Sequence, residues 1–257
     1  ATVQGTTDAP EAEFQLSGED LVVYRQPFGR WQLAGNYANG IAELDRLTLQ
    51  QQDGGRLTAE GRFLQEEERL RARLEIDGLK LDQLEVTEGQ PIRATLSGNA
   101  DLTGTVKQPE GTVSLQAAGL TIGERQLGDL SVGADLAGGQ ADIKVQAPLF
   151  ALSGDATVAL AAPYQAQADF SLAGTDLSKL GVNLKEGEPL QGQITAQLSA
   201  TGPLEEPRDL QAELKIASLK VEVPDLPVES GKPSSVRYAD RILTADEANQ
   251  TGSYLEL

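Results

Sequence analysis

Polar and apolar positions alternate along this chain, and one long run of the alternation occurs twice. In residues 88–109, EGQPIRATLSGNADLTGTVKQP, Ile92, Ala94, Leu96, Gly98, Ala100 and Leu102 fall on one side. Arg93, Thr95, Ser97, Asn99, Asp101 and Thr103 fall on the other. Residues 186–207, EGEPLQGQITAQLSATGPLEEP, repeat the run without a gap at an offset of 186 − 88 = 98. There Leu190, Gly192, Ile194, Ala196, Leu198 and Ala200 alternate with Gln191, Gln193, Thr195, Gln197, Ser199 and Thr201. A period of two predicts a β-strand with one apolar and one wet face. About 13 residues at ~3.3 Å each give roughly 43 Å, so a bend is expected, with Gly98 as its hinge.

A second phrase recurs around this strand. Phe14-Gln-Leu-Ser-Gly18-Glu-Asp-Leu21 returns as Phe170-Ser-Leu-Ala-Gly174-Thr-Asp-Leu177, with weaker copies ending at Gly78, Gly119 and Ser218. Each reads as a strand ending at a small residue, where the backbone can turn. Two copies run on into Leu79–Leu84 and Asp176–Leu180, which are expected to connect successive repeats. The second fits one helical turn with Asp176 as its N-cap.

Further strands are predicted at Val113–Ala117, Leu130–Leu136, Ala141–Ala147 and Phe150–Leu160. Gly138-Gly139 is a tight turn between two of them, and Pro163 breaks the chain after the last. Residues 64–73, LQEEERLRAR, are rich in helix formers. Yet Leu70, Ala72, Leu74 and Ile76 alternate with Arg69, Arg71, Arg73 and Glu75, which predicts a turn at 65–68 and a strand after it. The whole is an all-β repeat protein of about two and a half units, phased as 1–73 (partial), 74–169 and 170–257.

Composition limits the chemistry. Hydrophobic content is 39% and aromatic content 4%, so any core is built from Ala, Leu, Val and Ile. The net charge of −18 makes nucleic acid and anionic membrane surfaces poor partners. With no Cys, His or Met, thiolate and imidazole metal sites and disulfides are excluded. No apolar run approaches the ~20 residues that span a bilayer. The chain does not begin with Met, and it reads as a segment of a longer protein.

Candidate catalytic groups are few. Glu66-Glu67-Glu68 and Glu205-Glu206 fall in predicted turns and read as solvated loops. Leu136–Asp142 has only a faint likeness to a calcium-binding repeat, and the turn reading is better. Asn249-Gln-Thr251 fits the glycosylation pattern. Phe14, Tyr24, Phe28 and Trp31 cluster near the start, and packing explains them better than a sugar platform. No enzyme, cofactor or metal site is expected.

The apolar face must be hidden. Either two sheets meet as a sandwich, or one sheet folds lengthwise into a trough with an apolar inner wall. Ala94, Gly98, Ala100, Ala117, Ala134, Ala141, Gly154, Ala156, Gly192, Ala196 and Ala200 on that face are too small for a close-packed core, which favours an elongated β-groove. Its predicted lining is Ile92, Leu96, Leu102, Val113, Leu115, Val132 and Leu136, then Ile143, Val145, Leu152, Val158, Leu190, Ile194 and Leu198.

The ordered recurrence of Gly104-Thr-Val-Lys-Gln-Pro109, Gly111, Asp176–Leu180, Gly202-Pro-Leu-Glu-Glu-Pro207 and Val236–Leu243 resembles the AsmA-like and TamB family of repeating β-groove (β-taco) proteins. The resemblance implies a periplasmic segment of a protein anchored in the inner membrane of a two-membrane bacterium through a helix outside this sequence. It implies phospholipid acyl chains as cargo, conducted between inner and outer membranes without catalysis. It also implies an alternative, a scaffold for outer-membrane protein assembly beside an outer-membrane barrel partner. Read from the residues alone, a passive surface spacer with a sandwich core and a polysaccharide-active enzyme compete with these. The small inward residues disfavour the first and the missing His and Cys the second.

Overall fold

The alternation is realised as strands throughout. In a computed structural model, residues 1–6, 9–23, 25–87, 90–181, 190–222, 228–229, 233–239, 241–247 and 250–256 are described. Tyr24, Asn249 and the stretch 182–189, which opens the second long run, lie outside them. The chain forms two compact units, Ala1–Gly139 and Gln140–Leu257.

The first unit is an antiparallel meander in which each strand pairs with the next. Its strands are β1 (Thr2–Thr6), β2 (Ala9–Val23), β3 (Gln26–Ala38), β4 (Ile41–Gln50) and β5 (Arg56–Leu64), then β6 (Arg69–Thr87), β7 (Gln90–Gly104), β8 (Pro109–Ile122) and β9 (Arg125–Ala137). The second unit holds β10 (Gln140–Ala147), β11 (Leu152–Ala159), β12 (Gln165–Asp176), β13 (Gln191–Pro203) and β14 (Gln211–Glu222). It continues with β15 (Val228–Glu229), β16 (Ser234–Ala239), β17 (Ile242–Glu247) and β18 (Gln250–Glu256). These strands are again antiparallel, with β15 and β16 both pairing to β14. Among the described residues no pairing joins β1 to β9 or β10 to β18, so the strands of neither unit close into a barrel.

Residues 65–68 are a turn and β6 follows, so the helix formers of 64–73 are overridden by pairing with β5. The Gly138-Gly139 turn is present, with φ of 60° and 80°, a left-handed pair that only glycine adopts without cost.

Two expectations are corrected. The recurring small residue does not end its strand. At Gly78, Gly119 and Gly174 the strand runs on through a β-bulge, two residues opposing one, between Ile76 and Leu79, Ala117 and Leu120, and Leu172 and Thr175. Each bulge glycine has positive φ (56°, 62° and 68°). Each of their N–H groups donates to the side chain of the single residue opposite. Ser97 Oγ accepts at 3.2 Å, Asp129 Oδ1 at 2.9 Å and Thr195 Oγ1 at 3.2 Å, so the bulges leave these donors satisfied. The irregularity in this strand pair lies at Gly78, opposite Ser97. Gly98 stays extended, and it is glycine because a Cβ there would strike the Ser114 carbonyl oxygen.

The other correction concerns Leu79–Leu84, which is not a connector but part of the 19-residue β6. Its counterpart Leu177–Leu180 is a single 3-10 turn. Asp176 caps that turn, accepting from Ser178 N at 3.0 Å, and Gly181 at φ 71° stops it. At the offset of 96, the first copy has Lys80 and Glu85 in those places, neither of which starts or stops a helix.

Beyond Asp77, β6 outruns β5, and its outer edge would be left bare. Two glutamines cover it. Gln51, in the β4–β5 loop, accepts from Lys80 N at 2.8 Å and donates to Lys80 O at 2.7 Å. Gln26 accepts from Asp82 N at 2.9 Å and donates to Lys80 O at 3.2 Å. Both side chains are buried, at 8% and 1% exposure, and they act as a two-amide substitute for a neighbouring strand.

Candidate functional site

Directly paired residues of antiparallel strands share a face, so the registers show where the predicted lining goes. In the first unit Leu102 pairs with Gly111, and Gly111 with Leu136. Ala100–Val113–Ala134, Gly98–Leu115–Val132 and Leu96–Ala117–Leu130 form the next rows, and Ile92 pairs with Ile122. In the second unit Ile143 leads through Ala156 and Ala168 to Ala200 and Ala212. Val145 leads through Gly154 and Phe170 to Leu198, Leu214 and Val236. Ala141 pairs with Val158, Ala147 with Leu152, and Ile194 with Leu219. Leu190 stands just before β13, outside any pairing. Within each unit, every predicted lining residue that is paired therefore lies on one apolar face.

That face is neither a dry core nor a bare surface. Of the predicted lining residues only Leu198 is exposed, at 38%, and the others are half-buried. Full burial is confined to the neighbourhood of the bulges and strand ends: Leu79 is 3% exposed, Ala117 6% and Ala196 2%. In the second unit the capped turn closes one end of the face. Leu177 is buried there, 3.0 Å from where a Cβ on Gly192 would stand.

Sequence reasoning began the lining too late in the chain. The same face continues back through Leu74–Ala59–Leu47–Leu33–Leu16 and through Phe63–Ala42–Tyr37. The alternation of Leu70, Ala72, Leu74 and Ile76 was the available signal. Three of the aromatics on this face are cross-strand covers for glycine. Trp31 pairs with Gly18, Phe14 with Gly35 and Phe170 with Gly154. A Cβ on Gly18 would lie 2.6 Å from the Trp31 indole nitrogen, so glycine is what lets the ring lie flat.

The opposite face is polar and ionic. Arg73 bonds Asp101 at 2.7 Å and Arg237 bonds Glu213 at 2.8 Å. These hydrogen bonds hold the Asp101 and Glu213 carboxyls below the usual carboxylate range. Glu67 and Glu68 sit in the 65–68 turn, where they pair with Arg69 at 3.5 Å and Lys107 at 3.6 Å, as solvated loop charges do. Among the described residues no cluster of carboxylates is arranged to hold a metal ion.

Comparison with protein-family models, curated proteins and solved structures gives no match. Among the described residues the face is apolar along the strands it crosses and is lined by small, aliphatic and aromatic side chains.

Proposed function

We propose that the chain is a periplasmic segment of an AsmA-like or TamB-like protein, and that its apolar face is the inner wall of a trough that conducts phospholipids between two membranes. The acyl chains lie against the wall while head groups stay in water at the rim. The observation that carries this reading is the half-exposed state of an unbroken aliphatic face in each unit. A sheet that kept this surface for its own core would bury it. Each methylene sheltered on the wall gains about 0.8 kcal/mol, so binding requires no polar pocket. The bulges are consistent with a trough, because a bulged strand tends to bend, and β6, β8 and β12 each carry one.

The test is lipid binding by groove variants. Leu96 and Ile194 border the bulges, so arginine there would probe packing. Leu115 and Leu198 lie on the open part of the face, where an arginine stem can follow the wall and carry its charge to the rim. Leu115→Arg with Leu198→Arg is expected to stay folded and to lose binding of a fluorescent phosphatidylglycerol. Gln197→Arg, one residue from Leu198 and on the opposite face, is expected to bind normally. Native mass spectrometry of the purified chain should show co-purified phospholipid. A folded double variant that binds as well as the parent would overturn the conduit.

A further inference from the structure

Two arginines on the polar face of the first unit stand directly opposite one another. Arg62 on β5 pairs with Arg71 on β6, and both side chains are exposed. Neither has a hydrogen bond or an ion pair among the described residues. Like charges so placed oppose folding, because the β-carbons of directly paired residues stand only about 5 Å apart. We propose that Arg62 and Arg71 form a clamp for a phosphate group. The clamp lies on the face opposite the apolar wall and is independent of the conduit reading.

The second unit shows the same place built without cations. Gln167 stands on β12 where Arg71 stands on β6, since 167 − 71 = 96 is also the offset of the bulge glycines, 174 − 78 = 96. Gln167 pairs with Thr157, so Thr157–Gln167 replaces Arg62–Arg71. The next residue in each row is acidic, Asp142 beside Thr157 and Glu43 beside Arg62. In the second unit the row satisfies itself. Asp142 accepts from Thr157 Oγ1 at 2.9 Å and from Gln140 Nε2 at 3.1 Å. In the first, Glu43 accepts from Asn36 Nδ2 at 3.5 Å, and Arg62 is left without it. The sheet therefore does not require arginine at either position.

Arg62 and Arg71 line a depression of about 470 Å³ together with Arg73. Arg73 is engaged, bonding Asp101 at 2.7 Å and pairing with Glu60 at 3.9 Å. Arg71 acts on Asp101 through its charge alone. With Glu43 bonded to Asn36, Asp45 in the β4 bulge is the remaining carboxylate among the described lining residues. Two guanidiniums thus face one carboxylate, and an anion between them turns their repulsion into attraction. Each guanidinium presents a planar fork of donors that fits a pair of oxygens. A carboxylate has oxygens for one fork, whereas a phosphate has enough for both. The chemistry therefore favours a phosphate ester over an acidic side chain.

The test uses the whole chain, with glycerol 3-phosphate as the probe and the ionic strength held constant with sodium chloride. The side-chain NMR signals of Arg62 and Arg71 should move on titration. Arg62→Thr and Arg71→Gln, each singly, should lower the affinity by about tenfold or more. The double variant should stay folded, since the sheet already holds that pair at Thr157–Gln167, and it should bind no probe. If it does not fold, the single variants decide. Dihexanoyl phosphatidic acid, kept below its micelle concentration, separates two sources of the same group. Tighter binding than glycerol 3-phosphate, lost in the double variant, assigns the clamp to lipid head groups; equal binding assigns it to soluble phosphate esters. A titration that leaves both arginine signals in place overturns the clamp. So does an affinity unchanged in the folded variants, or a triglutamate peptide that binds more tightly than glycerol 3-phosphate.

Discussion

Gln51 offers a direct measurement of how the first sheet protects its edge. Its amide donates to Lys80 O at 2.7 Å and accepts from Lys80 N at 2.8 Å, so it fills both roles of a missing strand. Gln51→Glu keeps the shape and the acceptor but removes the donor, and it turns a carboxylate oxygen toward a carbonyl. One hydrogen bond of about 0.5–1.5 kcal/mol is lost, and a buried carbonyl is left facing negative charge, so the total is about 1–3 kcal/mol. Gln26 still donates to Lys80 O, which keeps the cost toward the lower half of that range. Burial against the carbonyl raises the folded-state pKa of the introduced carboxyl. A raised pKa makes the stabilising form the protonated one, present at low pH and lost as pH rises through the folded value. The deficit relative to the parent should therefore be about 1–2 kcal/mol at neutral pH and shrink on acidification. Urea unfolding of both chains at neutral and mildly acid pH measures this. Hydrogen exchange at the Lys80 and Asp82 amides shows whether the edge itself has opened. A variant as stable as the parent at neutral pH, or a deficit that grows with acid, would refute the strand-substitute reading. Gln26→Ala with Gln51→Ala should go further and bare an edge that associates with other copies as concentration rises.

Gly154→Ala drives a Cβ into the Phe170 ring and should cost about 1–3 kcal/mol in urea unfolding, most of it recovered by adding Phe170→Leu. The 65–68 turn is closed by Glu68 N donating to Gln65 O at 3.3 Å. Glu66→Pro, at its second position, should shift stability by less than about 0.5 kcal/mol, whereas Glu67→Pro forces the preceding residue out of its turn conformation and should cost clearly more. Asp53, Asp101, Asp142, Asp176 and Glu213 are held below the usual carboxylate range, first by hydrogen bonds from Lys80, Arg73, Gln140, Ser178 and Arg237 respectively. A lowered folded pKa gives stability that is full above the unfolded value and lost as pH falls through the folded one. The urea midpoint should hold from neutral to about pH 5 and decline below it, and Asp101→Asn should make that decline shallower.

What could be read from the sequence divides along the line between local and paired causes. A face is local: alternation over a few residues decides it, and every paired lining residue named from Ile92 to Leu198 lies on the expected side of its strand. The Gly138-Gly139 turn and the Asp176 cap are local as well, since each is specified by adjacent residue types. A bulge is not. Gly78, Gly119 and Gly174 look like strand ends because a glycine after a strand usually is one. What keeps the strand going is the oxygen opposite, on Ser97, Asp129 or Thr195, and nothing in the glycine's own neighbourhood announces which residue that will be.

Leu79–Leu84 and Leu177–Leu180 stand at corresponding places in the repeat. The two segments share an apolar spacing, yet one is strand and the other a helical turn. Part of the cause is local, in Asp176 and Gly181 against Lys80 and Glu85. The rest is a matter of what lies beside the strand. Beside β6, Gln51 and Gln26 supply backbone-like partners, so Lys80 and Asp82 can stay extended with their amides bonded. Beside β12 the corresponding place is taken by the 3-10 turn Pro148–Phe150, whose Phe150 carbonyl accepts from the Thr175 hydroxyl. The Phe150 side offers Thr175 a single acceptor where Lys80 and Asp82 meet two complete amides. With no such pair to extend against, the chain after Asp176 coils and satisfies its donors from its own cap. The same repeat thus closes its apolar face in two ways, with buried leucines on a strand in one unit and with Leu177 on a helical turn in the other. On β6 the choice is made by side chains 29 to 56 residues away in sequence, which pairing brings to the strand's edge.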